Sequence, residues 1–202
     1  MTATLLLKNA LVIGTMDDQL RELANASVFI RGNKVEAVGP ASELPSEADK
    51  VIDMTGHVLI PGLINTHHHM FQSLTRALPA AQNAELFDWL TALFPVWQNI
   101  TPAMQRAATR TAMAELMLSG CTTAADHAYL YVNGTRLDDS VQAAEEMGMR
   151  FHAVRGAMSL GQSQGGLPPD ALVEQDEQAI LREMQRVVED LHDSAADAMI
   201  KV

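Results

Sequence analysis

Pro61-Gly62-Leu63-Ile64-Asn65-Thr66-His67-His68-His69 is an apolar β-type run ending in three consecutive imidazoles, and the texture of the chain changes across it. On its N-terminal side short β runs are separated by turn residues: Leu5–Ile13, Ser27–Arg31, Lys34–Val38 and Lys50–Ile60. Arg31-Gly32-Asn33-Lys34 puts Gly-Asn where a tight hairpin needs residues that tolerate positive φ. On its C-terminal side β runs alternate with helical patterns, the arrangement that builds a parallel sheet or barrel. Leu63–Thr66, Thr122–His127, Arg150–Ala157 and Ala198–Val202 read as strands, and Glu85–Asn99, Pro102–Ser119, Asp138–Met147 and Asp170–His192 as helices. Thr101 stands as N-cap before Pro102, and Gly120 and Gly148 follow helix ends. In the last helix Ile180, Met184, Val187, Val188 and Leu191 share one face, with charged residues on the other.

The expected class is α/β, with a small β unit over residues 1–60 and a β/α region over 61–202. A complete eight-fold β/α barrel takes about 250 residues, so the second region reads as three such units and part of a fourth, truncated at the fourth strand. An open four-stranded α/β sheet is the alternative that pattern and length leave standing.

With 14 Lys+Arg against 25 Asp+Glu the formal charge is −11, which argues against nucleic acid or an anionic membrane as partner. Apolar residues at 48% and charged residues at 19% supply a core and exclude a disordered chain. The single cysteine, Cys121, excludes an internal disulfide framework and any zinc site built on several thiolates. It suits a reducing cytoplasm, and reads as a small buried hydrophobe. Lys8 sits inside the first apolar run with no basic segment ahead of it, so no signal peptide is expected. No apolar stretch reaches membrane-spanning length. The methionines fall mainly at helical positions, as core filling.

Strand side chains alternate faces, so His67 and His69 point the same way and His68 the other. Two imidazoles on one face chelate one ion, and at the C-terminal end of a barrel strand they would hang into the catalytic mouth. Neutral imidazole suits Zn²⁺ or Fe²⁺, and the lack of nearby thiolates argues for an open, catalytic ion over a closed structural one. A solvated polyhistidine loop is the competing reading of the same three residues.

Lys50–Ile60 running into PGLINTHHH after an N-terminal β unit resembles the metal-dependent amidohydrolase superfamily, in its branch of cytosine, guanine and triazine deaminases. HHHMFQSLTRA, LFDWL, SGCTTAADH, LDDSVQAAEEMGMRFHAVRG and MSLGQSQGGLPPD are similar to its subgroup of 8-oxoguanine and hydroxytriazine aminohydrolases. The resemblance implies an incomplete (β/α)8 TIM-type barrel preceded by a small β-sandwich portion. It implies one divalent metal ion, zinc first and iron second, with His67 and His69 as two of its ligands and His68 in a variable position. Further ligands, a His on strand five, a His on strand six and an Asp on strand eight, would lie beyond Val202, as would a proton-shuttling Glu. No catalytic acid or base is therefore placed within this chain, which alone is not expected to be competent.

The implied activity is hydrolytic deamination of a small heterocycle. Triazine hydrolysis on the same scaffold and a non-catalytic α/β metal-binding module are the alternatives. Family members often form dimers, so a homo-oligomer fits. Gln72 matches the His-x-His-x-x-Gln pattern of guanine deaminases, in which the amide contacts the base. Trp89 resembles an aromatic residue of the helical flap over the substrate, placed to stack on a flat ring. His127 ends the second barrel strand, and Arg155 lies near the end of the third, where it meets a substrate carbonyl or a carboxylate. Asp126 faces away from His127 in a regular strand, which suits a structural use.

Overall fold

A computed structural model describes residues 2–202. They fall into two compact units divided between Gly62 and Leu63. In the first, β1 (Thr4–Gly14) pairs antiparallel with β2 (Glu22–Arg31), which pairs with β3 (Lys34–Pro40). On its other edge β1 takes β4 (Lys50–Asp53) and then β5 (Val58–Leu59), both parallel. The expected hairpin is present: Arg31 pairs Lys34 and Gly32 takes φ +60°. Both faces of this sheet carry small apolar clusters, Ala10, Ile13, Ala26 and Val28 on one and Leu6, Phe29 and Leu44 on the other. β2 begins five residues earlier than composition suggests. Glu22–Ala26 has little strand propensity of its own and is held by pairing with Ala10–Gly14.

The second unit runs β6 (Leu63–His68), α1 (Leu86–Trp97), α2 (Pro102–Leu118), β7 (Cys121–Ala128), α3 (Leu137–Met147), β8 (Arg150–Arg155), α4 (Glu177–Leu191) and β9 (Ile200–Lys201). Its four strands are all parallel in the order β6-β7-β8-β9, so each crossover delivers the chain to the next position without reversal. The unit is α/β, as expected. Thr101 Oγ1 accepts from Met104 N–H at 3.3 Å, and Gly148 stops α3 at φ +69°. Alternation sorts the faces of β7. Ala124, Asp126 and Ala128 are buried with Met113, Leu137, Val141 and Phe151, while Thr123, Ala125 and His127 are half-buried on the other face.

The last helix is shorter than its pattern. Asp170–Leu172 forms a separate 3-10 turn, and α4 starts at Glu177 behind Asp176, whose carboxylate caps Ala179 N–H at 3.0 Å. Between them Glu174 N–H donates to the Met158 carbonyl and its side chain is drawn to Arg155, which keeps that segment extended. Among the described residues no helix is long and apolar enough to cross a membrane.

Candidate metal centre

The histidine run sits where β6 loses its regular register. Asn65 pairs with Ala124 and His68 with Asp126, so Thr66 and His67 together oppose Ala125 as a bulge. His67 and His69 flank His68 and converge, with their Nε2 atoms 3.2 Å apart and rings edge to face. His68 pairs with Asp126 of the helix-covered face, and a cavity of about 260 Å³ beside the run is lined by all three histidines together with Gln72, Ser73, Arg76, Ala112 and Glu115. Arg76 and Glu115 bind each other there in two bonds of 2.6 and 2.7 Å. Burial lowers the pKa of His68, helped by its neighbour His69.

The tautomer of His69 follows from its partner. Its Nδ1 lies 2.7 Å from the His127 carbonyl, which only accepts, so Nδ1 carries the proton and Nε2 keeps its lone pair. Burial favours that neutral ring and holds its pKa below the ordinary imidazole value. Two nitrogens at about 2.05 Å from a tetrahedral zinc stand about 3.3 Å apart, against the 3.2 Å found here. The pair therefore fits a divalent ion in spacing and, for His69, in protonation. Among the described residues no group of three or more His, Cys, Asp or Glu side chains gathers to hold an ion.

The neighbours of the pair come from the end of β7 and from the segments that follow β6 and β7. Gln72 lies in the 3-10 turn Met70–Thr75, and its Nε2 donates to the Tyr129 hydroxyl at 3.1 Å. Tyr129 stands edge-on to His69 with ring centroids 5.1 Å apart. The His127 ring stacks on His67, centroids 4.3 Å apart. Asp126, fully buried on the helix-covered face, accepts from Met70 N–H at 2.8 Å and so ties the residue after His69 to β7. Its other oxygen has no partner among the described residues, and burial pushes its pKa to about 7.

Gln72 and His127 are thus brought to the histidine pair, and Trp89 and Arg155 are committed elsewhere. Trp89 packs edge-on against Trp97, in a cluster that also holds Phe71 and partly buried Tyr129. That places α1 beside the loops that follow β6 and β7. Arg155 shares the helix-covered face with Phe151 and Ala153, the face opposite His127. Its guanidinium binds Glu174 and the Gly156 carbonyl and lies over Tyr131 at 3.9 Å. Of the two partners expected for Arg155, a substrate carbonyl or a carboxylate, the structure shows the carboxylate of Glu174, on the face of β8 opposite His127. Tyr129 was not singled out by sequence. Its one signal is an aromatic residue two positions past a strand-end histidine.

The chain matches proteins of known activity over nearly all its length. It is 41% identical to 8-oxoguanine deaminase from Pseudomonas aeruginosa, over 97% of this chain and 43% of that protein. It is 34% identical to hydroxydechloroatrazine ethylaminohydrolase from Pseudomonas sp. strain ADP, over 89% of this chain and 40% of that protein. Among solved structures, atrazine chlorohydrolase from Arthrobacter aurescens TC1 complexed with zinc superposes with a TM-score of 0.88 at 29% identity, covering 98% of this chain and 45% of that one. The chain thus spans less than half the length of these relatives. The family model described as "Amidohydrolase family" matches residues 58–202. From its parallel sheet, its histidine-ended first strand and these matches, the chain belongs to the amidohydrolase family.

Proposed function

We propose that this chain is the N-terminal portion of a metal-dependent aminohydrolase that hydrolytically deaminates an amino-substituted heterocycle, with 8-oxoguanine, converted to urate and ammonia, as the leading substrate. The observation that supports this most is the convergence of His67 and His69 at the end of a parallel strand, their Nε2 atoms 3.2 Å apart. The 41% identity to 8-oxoguanine deaminase supports the substrate. On this reading residues 1–60 form a β-sandwich portion and 61–202 the first three to four units of a (β/α)8 barrel. Strand order without reversal favours a barrel over a doubly wound sheet.

His67 and His69 would hold the ion, zinc before iron. When bound, such an ion supplies Lewis acidity and makes water a nucleophile near neutral pH. The residues of this chain bind and orient. His69 keeps its Nε2 lone pair through the bond from Nδ1 to the His127 carbonyl. Gln72, held by Tyr129, offers its carboxamide to the polar edge of a flat ring. The helix that carries Trp89 borders the site. The ring C–NH₂ becomes C=O, with oxygen taken from water and ammonia released, and the acid–base carboxylates lie outside these residues.

Ammonia release by the full-length protein from 8-oxoguanine, guanine, isocytosine and hydroxytriazines tests the reading. Fastest turnover of 8-oxoguanine is expected, and no release from any purine removes it as substrate. The 34% identity to hydroxydechloroatrazine ethylaminohydrolase favours a triazine as the second reading, marked by amine release from hydroxytriazines alone.

A further inference from the structure

His67 and His69 are aimed by different means, and both lead to one residue. His69 is oriented by a main-chain acceptor, the His127 carbonyl. His67 is exposed, and among the described residues its ring makes no hydrogen bond except the contact with His69. What limits its rotation is the His127 imidazole, which lies against it with planes 29° apart and centroids at 4.3 Å. The His127 ring is itself fixed. Its Nε2 donates to the Thr66 carbonyl at 3.3 Å, on the strand that bears His67. It also meets the His69 ring at 73° with centroids 6.1 Å apart.

We propose that His127 is a positioning residue of the metal pair rather than a substrate contact: its ring is a flat backstop that sets the plane of His67, while its carbonyl sets that of His69. The two ligand nitrogens then stand at their working separation before any ion arrives. The assignment rests on reading His67 and His69 as ligands. It departs from the role that strand-end position alone suggests for His127, a direct hold on the heterocycle.

The test compares wild type, His127→Ala and His127→Phe in the full-length protein, with His67→Ala as reference. Zn²⁺ affinity is read by chelator competition and coordination by the visible spectrum of the Co²⁺-loaded protein. His127→Ala keeps the carbonyl and loses the ring, so Zn²⁺ is expected to bind roughly 3- to 10-fold more weakly with an altered Co²⁺ spectrum. Phe restores the flat face, so His127→Phe is expected within about twofold of wild type in affinity, a recovery that stacking alone explains. Wild-type Zn²⁺ affinity and Co²⁺ spectrum in His127→Ala, with only KM raised, would make His127 a substrate contact and overturn the proposal. Equal weakening in Ala and Phe variants overturns the stacking role as well. If His67→Ala binds Zn²⁺ like wild type, the ligand reading itself has failed and takes this proposal with it.

Discussion

His69 shows how a single hydrogen bond sets what a residue is able to do. A ring whose neutral form gives Nδ1–H to a carbonyl keeps its Nε2 lone pair toward the partner imidazole, and partial burial lowers its pKa and so favours that neutral form. His67→Ala and His69→Ala are each expected to lower metal affinity by at least tenfold and activity in step, measured as metal content against turnover. His68→Ala should leave metal content near wild type. Equal loss from all three would mean that the two faces of the strand end are not distinct. Asp126 makes a separate prediction. Its folded-state pKa of about 7 stands above the ordinary 3.8, so between those values the folded protein keeps a proton that the unfolded chain has lost. This contribution to stability is full below pH 4 and falls as pH rises toward 7. Asp126→Asn retains an oxygen for Met70 N–H and removes that fall. Melting temperatures of the metal-free protein at pH 5 and pH 8 should therefore differ less in Asp126→Asn than in wild type, and identical differences would show that Asp126 does not titrate in this range.

At the scale of elements, the loop between β8 and α4 is fastened by Arg155. The guanidinium binds Glu174, near the far end of that loop, and its own backbone neighbour Gly156, and Tyr131 covers its face. Because Glu174 is partly exposed, Arg155→Ala is expected to destabilise the protein by about 2 kcal/mol, less than breaking a fully buried pair. Limited proteolysis should cut the variant within residues 157–175 where wild type resists, and an unchanged cleavage pattern would mean that the loop holds without the clasp. This pair also marks where sequence reading stops. Apolar period, the Gly32-Asn33 turn and the Thr101-Pro102 start are local chemistry, and the elements they announce are present. Strand alternation placed His67 and His69 on one face. What alternation left hidden depends on pairing between distant segments: the bulge at Thr66–His67, the extension of β2 by Glu22–Ala26, and the Arg155–Glu174 bond that keeps residues 173–176 out of the last helix. Asp126 was legible as a residue turned from His127, but its bond to Met70 N–H, across 56 positions of sequence, was not.

At the scale of the whole molecule, β6 is paired on one side only among the described residues, and Leu63 and Ile64 are 53% and 68% exposed. Parallel sheets are ordinarily covered on both faces, and an unpaired apolar edge invites association. The 202-residue chain produced alone is expected to self-associate, and Ile64→Lys to shift it toward monomer in size-exclusion chromatography. An unchanged elution profile would place the sticky surface elsewhere. The histidine pair and the carbonyl that orients His69 all fall between residues 67 and 127. On the proposed reading, a nascent chain that has exposed only that stretch from the ribosome already carries both proposed ligands and the carbonyl that orients one of them.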